Sequence, residues 1–523
     1  MLTARDGTWM KAIVLSFLGV LFGLNLKPSQ LFGDEIKDFR QSIYKIRVQS
    51  QRPNVTFPWR NRSNRSSSGT GFYIGNGNIL TNAHVVAQGK FITVQRDGED
   101  QPHLAKVSFI AHDCDLALLR LVKKPKTMKY PSPLTLGGLP KLRSPVSVVG
   151  YPLGGEQLSV TQGVVSRISF RQYAHVGAQR HLLVQVDSAI NSGNSGGPVI
   201  QKKKVVGVAF QAHVNAENTG YVIPTIIIKR FLKDIEDGFY HGHIDIGLKT
   251  MDGAMENPTM RQYHGLEPDD GGVKVANVMS HTPAFGQIEK NDIILAIANQ
   301  KVGIDGKINY QGERINFEML FDIAQIGDTV TFDIKRNGKK IHVPIRVQTL
   351  KNHYSKNKRY VTSFRYYVFA GLVFTSLSSN YIRSWGRKWY HNAALQLRYL
   401  HLMANNLPHF KGHRDVIVLS KRLPDAVNAH LDDFEDSVLT QVNGRKITSL
   451  DMLKETIEEA KSQFLTFRFL DKSDFFVLPT KRAKENDREI HQRYGVHPSY
   501  WFDDQDGATS GLPTEALKEG VAQ

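Results

Sequence analysis

Between residues 71 and 211 apolar side chains come in short runs, nearly all cut off by Gly, Asn or Pro. The runs are 71-GFYIGNGNILTNAHVV-86, 91-FITVQ-95, 104-LAKVSFIA-111, 116-LALLRLV-122 and 145-PVSVVGYP-152, then 159-SVTQGVVSRI-168, 181-HLLVQVD-187, 197-GPVI-200 and 204-KVVGVAFQ-211. Runs of this length, bounded by turn formers, predict strands, and so many in succession predict an all-β barrel or sandwich. The series closes at 221-YVIPTIIIKRFLKDIEDG-238, which begins as a strand and continues as a helix up to Gly238. Cys114 is the single cysteine, so no intramolecular disulfide can staple these strands, and buried apolar area with backbone pairing must hold them. Its place in 114-CDLALL-119 predicts a buried structural thiol.

With 523 residues the chain exceeds one compact core. The pattern changes after residue 238. The segments 244-IDIGLKT-250, 273-VKVANVM-279, 292-DIILAIANQKV-302 and 329-TVTFDIKRNGKKIHVPIRV-347 read as strands, with 314-RINFEMLFDIA-324 as a helix, which makes a small α+β module over 239–350. The polar, basic stretch 351-KNHYSKNKRY-360 reads as a linker. A second module over 361–482 repeats the layout: DIILAIANQKV is matched by SVLTQVNGRKI, and NFEMLFDIA by SLDMLKETIEEA, as a diverged duplication would leave them. Residues 483–523 read as a tail, and 50-SQRPNVTFPWRNRSNRSSSG-69 as a mobile lead-in to the first strands.

Residues 1–33 hold Arg5 and Lys11 followed by the uncharged run 12-AIVLSFLGVLFGLNL-26, which is short for a membrane span and suits a signal peptide. No small-x-small cleavage site follows, so an uncleaved anchor to the inner membrane stays open beside export to the periplasm or the exterior. The chain carries 67 Lys+Arg against 49 Asp+Glu, a formal charge of +18. Its basic runs lack interleaved aromatics, so they read as solvated loops and point to no specific nucleic-acid partner. No GxxxxGK[ST] loop is present, which leaves ATP-driven unfolding unindicated. His241, His243, His401, His409 and His413 lack partners at ligand spacing, so neither a metal nor another cofactor is expected.

The chemistry-bearing stretch is 191-NSGNSGGPV-199. Glycines on both sides of Ser195 permit a tight turn that aims the amides of Gly193 and Ser195, with Asn194 between them, at one point. Acyl transfer needs such a convergence, because negative charge grows on the carbonyl oxygen in the transition state. A serine hydroxyl also needs a base beside it, and His84 in 80-LTNAHVV-86 is the candidate. The third member, which orients the imidazole, is Asp115 at the head of 115-DLALLRL-121; Asp113 is the runner-up and Asp187 ranks third.

Taken together, 69-GTGF-72, 81-TNAHVV-86, 115-DLALL-119, 149-VGYPLG-154, 159-SVTQGVVS-166 and 187-DSAINSGNSGGPV-199 resemble the HtrA/Deg family of serine proteases with C-terminal PDZ domains. HDCDLALL and FAGLVFTSL resemble the plant-type branch. The resemblance implies an all-β chymotrypsin-like double β-barrel over 34–238, with His84, Asp115 and Ser195 in the cleft, followed by two α+β PDZ-like domains. It also implies cleavage of unfolded or misfolded proteins and assembly into trimers or higher oligomers. In such a fold Ala189, Ile190, Val208, Ala209 and Phe210 line the specificity pocket; with no carboxylate at its base, they favour a small apolar residue before the scissile bond. An Asp187 pointing inward would change that expectation. PDZ modules add a peptide strand to a sheet edge and hold its terminal carboxylate on backbone amides. Gly247 and Leu248 are the expected contacts for C-terminal peptides in the first module. In the second, 369-FAGLVF-374 leaves peptide binding through Gly371 and Leu372 open beside mere packing. Two other readings compete: a PDZ-bearing chaperone or scaffold that seldom cuts, and a narrow-specificity secreted toxin protease.

Overall fold

The structure, a computed structural model, describes residues 39–502 apart from 127, 153–154, 178, 192, 213–219, 252, 268–269, 281, 349–359, 362 and 471–474. The leader or anchor expected over 1–33 and the end of the chain from 503 lie outside the described residues.

The short apolar runs fold into two closed antiparallel barrels. The first is ordered β1 (Ile43–Ser50), β2 (Arg65–Gly75), β3 (Asn78–Thr81), β6 (Leu116–Leu121), β5 (His103–Ala111) and β4 (Gly89–Arg96). The second is ordered β10 (Pro198–Gln201), β11 (Lys204–Ala212), β12 (Gly220–Pro224), β9 (Arg180–Val186), β8 (Ser159–Gln172) and β7 (Pro145–Gly150). Closure removes every sheet edge, a solution open to strands that have no disulfide to guard them. Cys114 is buried and free, as its setting predicts. After β12 the helix Thr225–Asp234 seats Ile227, Ile228 and Phe231, all fully buried, in the same core as the second barrel. It ends at Asp234, and a turn carries the chain on to Gly238, whose φ of 92° is open to glycine at little cost.

The first small module is a sheet ordered β13 (Leu248–Met251), β14 (Val273–Val278), β15 (Ile293–Ile297), β19 (Thr329–Arg336) and β20 (Lys339–Arg346), with β16 (Gln300–Lys301) hairpinned onto β15. The helix expected over 314–324 is mostly not one. β17 (Lys307–Tyr310) and β18 (Glu313–Asn316) form a hairpin, leaving a single helical turn at Met319–Asp322. The cause is the Gln311–Gly312 turn: both residues take positive φ, which reverses the chain before a helix can nucleate.

The second module repeats this order in β22 (Leu372–Ser376), β23 (Ile417–Arg422), β24 (Ser437–Val442), β26 (Phe464–Phe469) and β27 (Phe475–Pro479), with β25 (Arg445–Lys446) on β24. The equivalence supports the duplication read from sequence. One difference matters: β21 (Tyr366–Phe369) and β28 (Tyr500–Trp501) extend the sheet beyond β22.

Two boundaries shift. The tail expected from 483 is part of the second module, because the helix Thr480–Tyr494 buries Ala483 and Ile490 in its core and β28 pairs with β21. The lead-in expected over 50–69 is largely fixed: Phe57 and Trp59 pack against that same core, and the Arg60 guanidinium donates to the Tyr494 carbonyl at 2.6 Å. Two aromatic anchors outweigh the polar composition around them.

Truncating Phe231 should leave a cavity under the second barrel and cost about 3–5 kcal/mol. Phe231→Ala is therefore expected to lower the unfolding midpoint of the protease domain, measured by denaturant titration.

Candidate active site

His84 lies on the helical turn Ala83–Val86, which follows directly from β3. Asp115 heads β6, and β3 pairs with β6, so the sheet itself brings the two segments together. Four bonds fix the pair. The Asp115 carbonyl accepts from Ala83 N at 3.2 Å and Asn82 Nδ2 at 3.0 Å. Its carboxylate accepts from His84 N at 2.7 Å through Oδ1, and from His84 Nδ1 at 2.6 Å through Oδ2. Asp115 holds a φ of 55°, a left-handed conformation that costs a non-glycine residue energy and is met where surrounding bonds over-determine it. An ionised carboxylate can only accept, so Nδ1 carries the proton and Nε2 keeps its lone pair, as a general base requires.

Asp115 is fully buried, whereas the His84 side chain is 33% exposed. Burial works to lower the His84 pKa, but the Asp115 charge and hydrogen bond outweigh it and set it above the ordinary 6.5. Burial raises the Asp115 pKa, and the charge and hydrogen bonds of His84 pull it back in part.

The serine arrives from the other barrel. Thr70 of β2 organises its loop: Thr70 N donates to the Ser195 carbonyl at 2.9 Å, and Thr70 Oγ1 donates to the Gly193 carbonyl at 2.8 Å. The same hydroxyl accepts from Tyr151 N at 2.9 Å, while the Thr70 carbonyl accepts from Thr81 Oγ1 at 2.7 Å. Gly196 sits at φ 85°, and a Cβ there would lie 2.1 Å from the Thr70 carbonyl oxygen, so no other residue fits. Asn194 N is spent on the Asn191 carbonyl at 3.0 Å, so Asn194 holds the turn instead of offering its amide to an oxyanion. Among the described residues the Gly193 and Ser195 amides donate to no backbone carbonyl, as an oxyanion role requires. The Ser195 hydroxyl donates to the Phe210 carbonyl at 3.2 Å, and among the described residues no hydrogen bond joins it to His84. The Phe210 ring in turn lies 6.2 Å from the His84 ring, so Phe210 neighbours both nucleophile and base.

Of the expected pocket residues, Ile190, Val208, Ala209 and Phe210 are buried and Ala189 is half-buried. Asp187 is exposed, and its Oδ1 accepts from Val164 N at 2.6 Å. Asp113 serves elsewhere: its carboxylate accepts from Tyr240 Oη at 2.5 Å and His243 N at 2.8 Å, tying down the connection to the first small module.

Sequence reading gave His243 no ligand-spaced partners, yet the fold supplies two. Asp322 Oδ1 accepts from His181 Nδ1 at 2.7 Å and His243 Nδ1 at 2.9 Å, while His181 Nε2 faces the Asp113 carbonyl at 3.0 Å. With acceptors at both ring nitrogens, His181 carries both protons. Burial opposes that charge, but Asp322 raises the His181 pKa above the ordinary value. These three side chains lie close enough to form a metal donor set; both His181 nitrogens and His243 Nδ1 are engaged in hydrogen bonds, whereas His243 Nε2 and Asp322 Oδ2 are buried without a partner among the described residues, and the His181–Asp322 ion pair joins the protease domain to the first module. The three come from segments far apart in the chain, so no spacing could reveal them. Thr70 and Asn82, also missed, do lie inside quoted motifs.

In the first module β13 is an edge strand, paired with β14 alone. The Gly247 amide donates to its own Asp245 Oδ1 at 2.8 Å, so an incoming carboxylate would compete with that side chain; Leu248 begins the edge strand itself. In the second module β22 has no free edge. Ala370 and Gly371, at φ 49° and 78°, form the two-residue turn of the β21–β22 hairpin, and Ala370 N donates to Asp487 Oδ1 at 2.6 Å. Gly371 and Leu372 are therefore turn and strand.

Comparison with known families matches residues 69–208 to a trypsin-like peptidase domain, and residues 261–347 and 355–500 to PDZ domains. Fold, site and matched families together define a serine-type endopeptidase of chymotrypsin-like fold with two PDZ domains. Among its relatives, Protease Do-like 4, mitochondrial, from Arabidopsis thaliana is 34% identical over 89% of this chain and 85% of that protein. Protease Do-like 2, chloroplastic, from the same plant is 34% identical over 92% of this chain and 78% of that one. The chain belongs to the HtrA/Deg family of Do-like proteases.

Because the catalytic base must be unprotonated, activity should rise with pH through the His84 pKa, and the Asp115 charge places that rise above 6.5. The acid limb of kcat/KM on a peptide substrate is expected there. Asp115→Asn should cut kcat by roughly 10⁴-fold through loss of the correct tautomer.

Proposed function

We propose that this enzyme hydrolyses peptide bonds of unfolded, damaged or flexible proteins by Ser195 acyl-enzyme chemistry, recruiting chain ends through its first PDZ domain. The observation that carries this reading is the partly exposed His84, its Nδ1 held by Asp115 at 2.6 Å, with a serine loop whose Gly193 and Ser195 amides meet no backbone carbonyl among the described residues. On substrate entry the Ser195 hydroxyl leaves the Phe210 carbonyl and passes its proton to His84 Nε2 as it attacks the scissile carbonyl. The Gly193 and Ser195 amides take the developing oxyanion; His84 then protonates the leaving amine, and a water repeats the sequence to free the acid. Such a cleft takes extended chain, which a folded domain does not offer. The edge of β13 supports recruitment of peptide as an added strand.

Assembly as a homo-trimer or higher oligomer belongs to the same proposal, as does export, with residues 1–33 serving as leader or anchor to the periplasm or the exterior. The order of basic residues and apolar run supports export. The chaperone reading draws support from one observation, the hydroxyl of Ser195 turned to Phe210 in this structure.

Digestion of casein separates the two readings. Ser195→Ala should lose turnover by about three to six orders of magnitude, since the triad acts as a unit. Equal cleavage by both proteins would reject the assignment. Peptides differing only before the scissile bond should be cut fastest with Val, Ile or Ala there, and fastest cleavage after Arg would overturn the pocket assignment.

A further inference from the structure

The second PDZ module enters the molecule over the catalytic aspartate. Tyr360, which leads into that module, is buried with its ring stacked on His175 at 4.1 Å and on His112 at 4.5 Å, with interplanar angles of 19° and 15°. Its hydroxyl donates to the His175 carbonyl at 2.9 Å. His112 Nδ1 and His175 Nε2 share a hydrogen bond of 2.8 Å. The stack reaches the triad through His175: its Nε2 lies 3.9 Å from Asp115 Oδ1, the oxygen that accepts the His84 amide, and its ring lies 6.1 Å from the His84 ring. The His175 side chain is 3% exposed and that of Asp115 is fully buried, so the stack closes one side of the carboxylate against water.

The attachment is made on both catalytic segments. Gln88, two residues past the helical turn that carries His84, donates Nε2 to the Val361 carbonyl at 3.1 Å, next to Tyr360. The Ser363 hydroxyl reaches the Pro58 carbonyl at 3.4 Å, beside the Phe57 and Trp59 anchors. A module seated this way backs the His175 ring, which lies beside the residue that fixes the tautomer of the base. Water admitted beside Asp115 would weaken its hold on the imidazole, since the attraction between the charges grows as solvent is excluded.

We infer that Tyr360 and His175 are positioning residues for the Asp115–His84 pair, so that seating of the second PDZ module is a condition of full turnover. The inference rests on the endopeptidase reading and adds a role for a module whose own strand edge is filled. Tyr360 touches no reacting atom; it acts through His175 on the geometry and dryness of the pair.

The test uses the full chain and a short peptide substrate, too small to need a PDZ domain. Tyr360→Ala should lower kcat by about tenfold or more while KM changes less than about twofold. Tyr360→Phe keeps the ring and should recover kcat to within about threefold of wild type. His112→Ala removes one ring and one hydrogen bond from the edge of the stack, and should lower kcat with KM again steady. It decides the matter if Tyr360→Ala fails to fold, which thermal melting reads. The inference is overturned if the folded variants keep wild-type kcat, if KM rises as much as kcat falls, or if Tyr360→Phe is as impaired as Tyr360→Ala. Wild type that cuts no faster than Ser195→Ala would instead sink the endopeptidase reading.

Discussion

Each barrel can close around its own core without ever showing a serine to a histidine; what sets the two halves in register is the backbone and hydroxyl of Thr70. A residue of the first barrel donates two hydrogen bonds to carbonyls of the serine loop and accepts one from Tyr151 of the second barrel. Those bonds orient the carbonyls at 193 and 195 toward β2, and the amides that share their peptide planes, at 194 and 196, donate to the carbonyls of Asn191 and Ala209. The cost of the arrangement is steric. Gly196 must pass so close to the Thr70 carbonyl that a side chain is excluded. Nucleophile placement in this protein is thus a property of contact between barrels, and neither barrel alone contains it.

The double barrel and the motifs that carry His84 and Asp115 were legible because both are written locally. Short apolar runs and turn formers mark strands, and TNAHVV and DLALL adjoin or overlap β3 and β6, which pair directly. The Gly-flanked serine was legible because only glycine permits its turn. What escaped reading is written in packing. The Gln311–Gly312 turn broke an apolar stretch that otherwise suits a helix. Phe57 and Trp59 sit in a polar segment, and composition could not show that two rings would find a core more than three hundred residues away in the chain. Asp113 and Asp115 are equivalent as letters, yet one faces His84 and the other Tyr240 and His243. The pairing of β3 with β6 decides between them, and it is a tertiary fact.

Residues 112–115 show how much one short loop can join. His112 meets Tyr360 of the second module's approach, Asp113 fastens the connection to the first, Cys114 is buried beside Tyr240, and Asp115 holds the catalytic imidazole. The buried thiol suits this setting: burial pushes the Cys114 pKa well above its ordinary value, so the sulfur stays neutral and unreactive between two carboxylates. The first module adds a second fastening of its own, since Asp322 grips His181 of the barrel and His243 of the connection together.

The β21–β22 hairpin carries a consequence for what can pair with the second module. A strand delivered through a two-residue turn competes at an effective concentration far above that of any dilute peptide, so β21 holds the edge of β22 that β23 leaves open. A peptide strand could add to β22 there only by displacing β21 along its whole length.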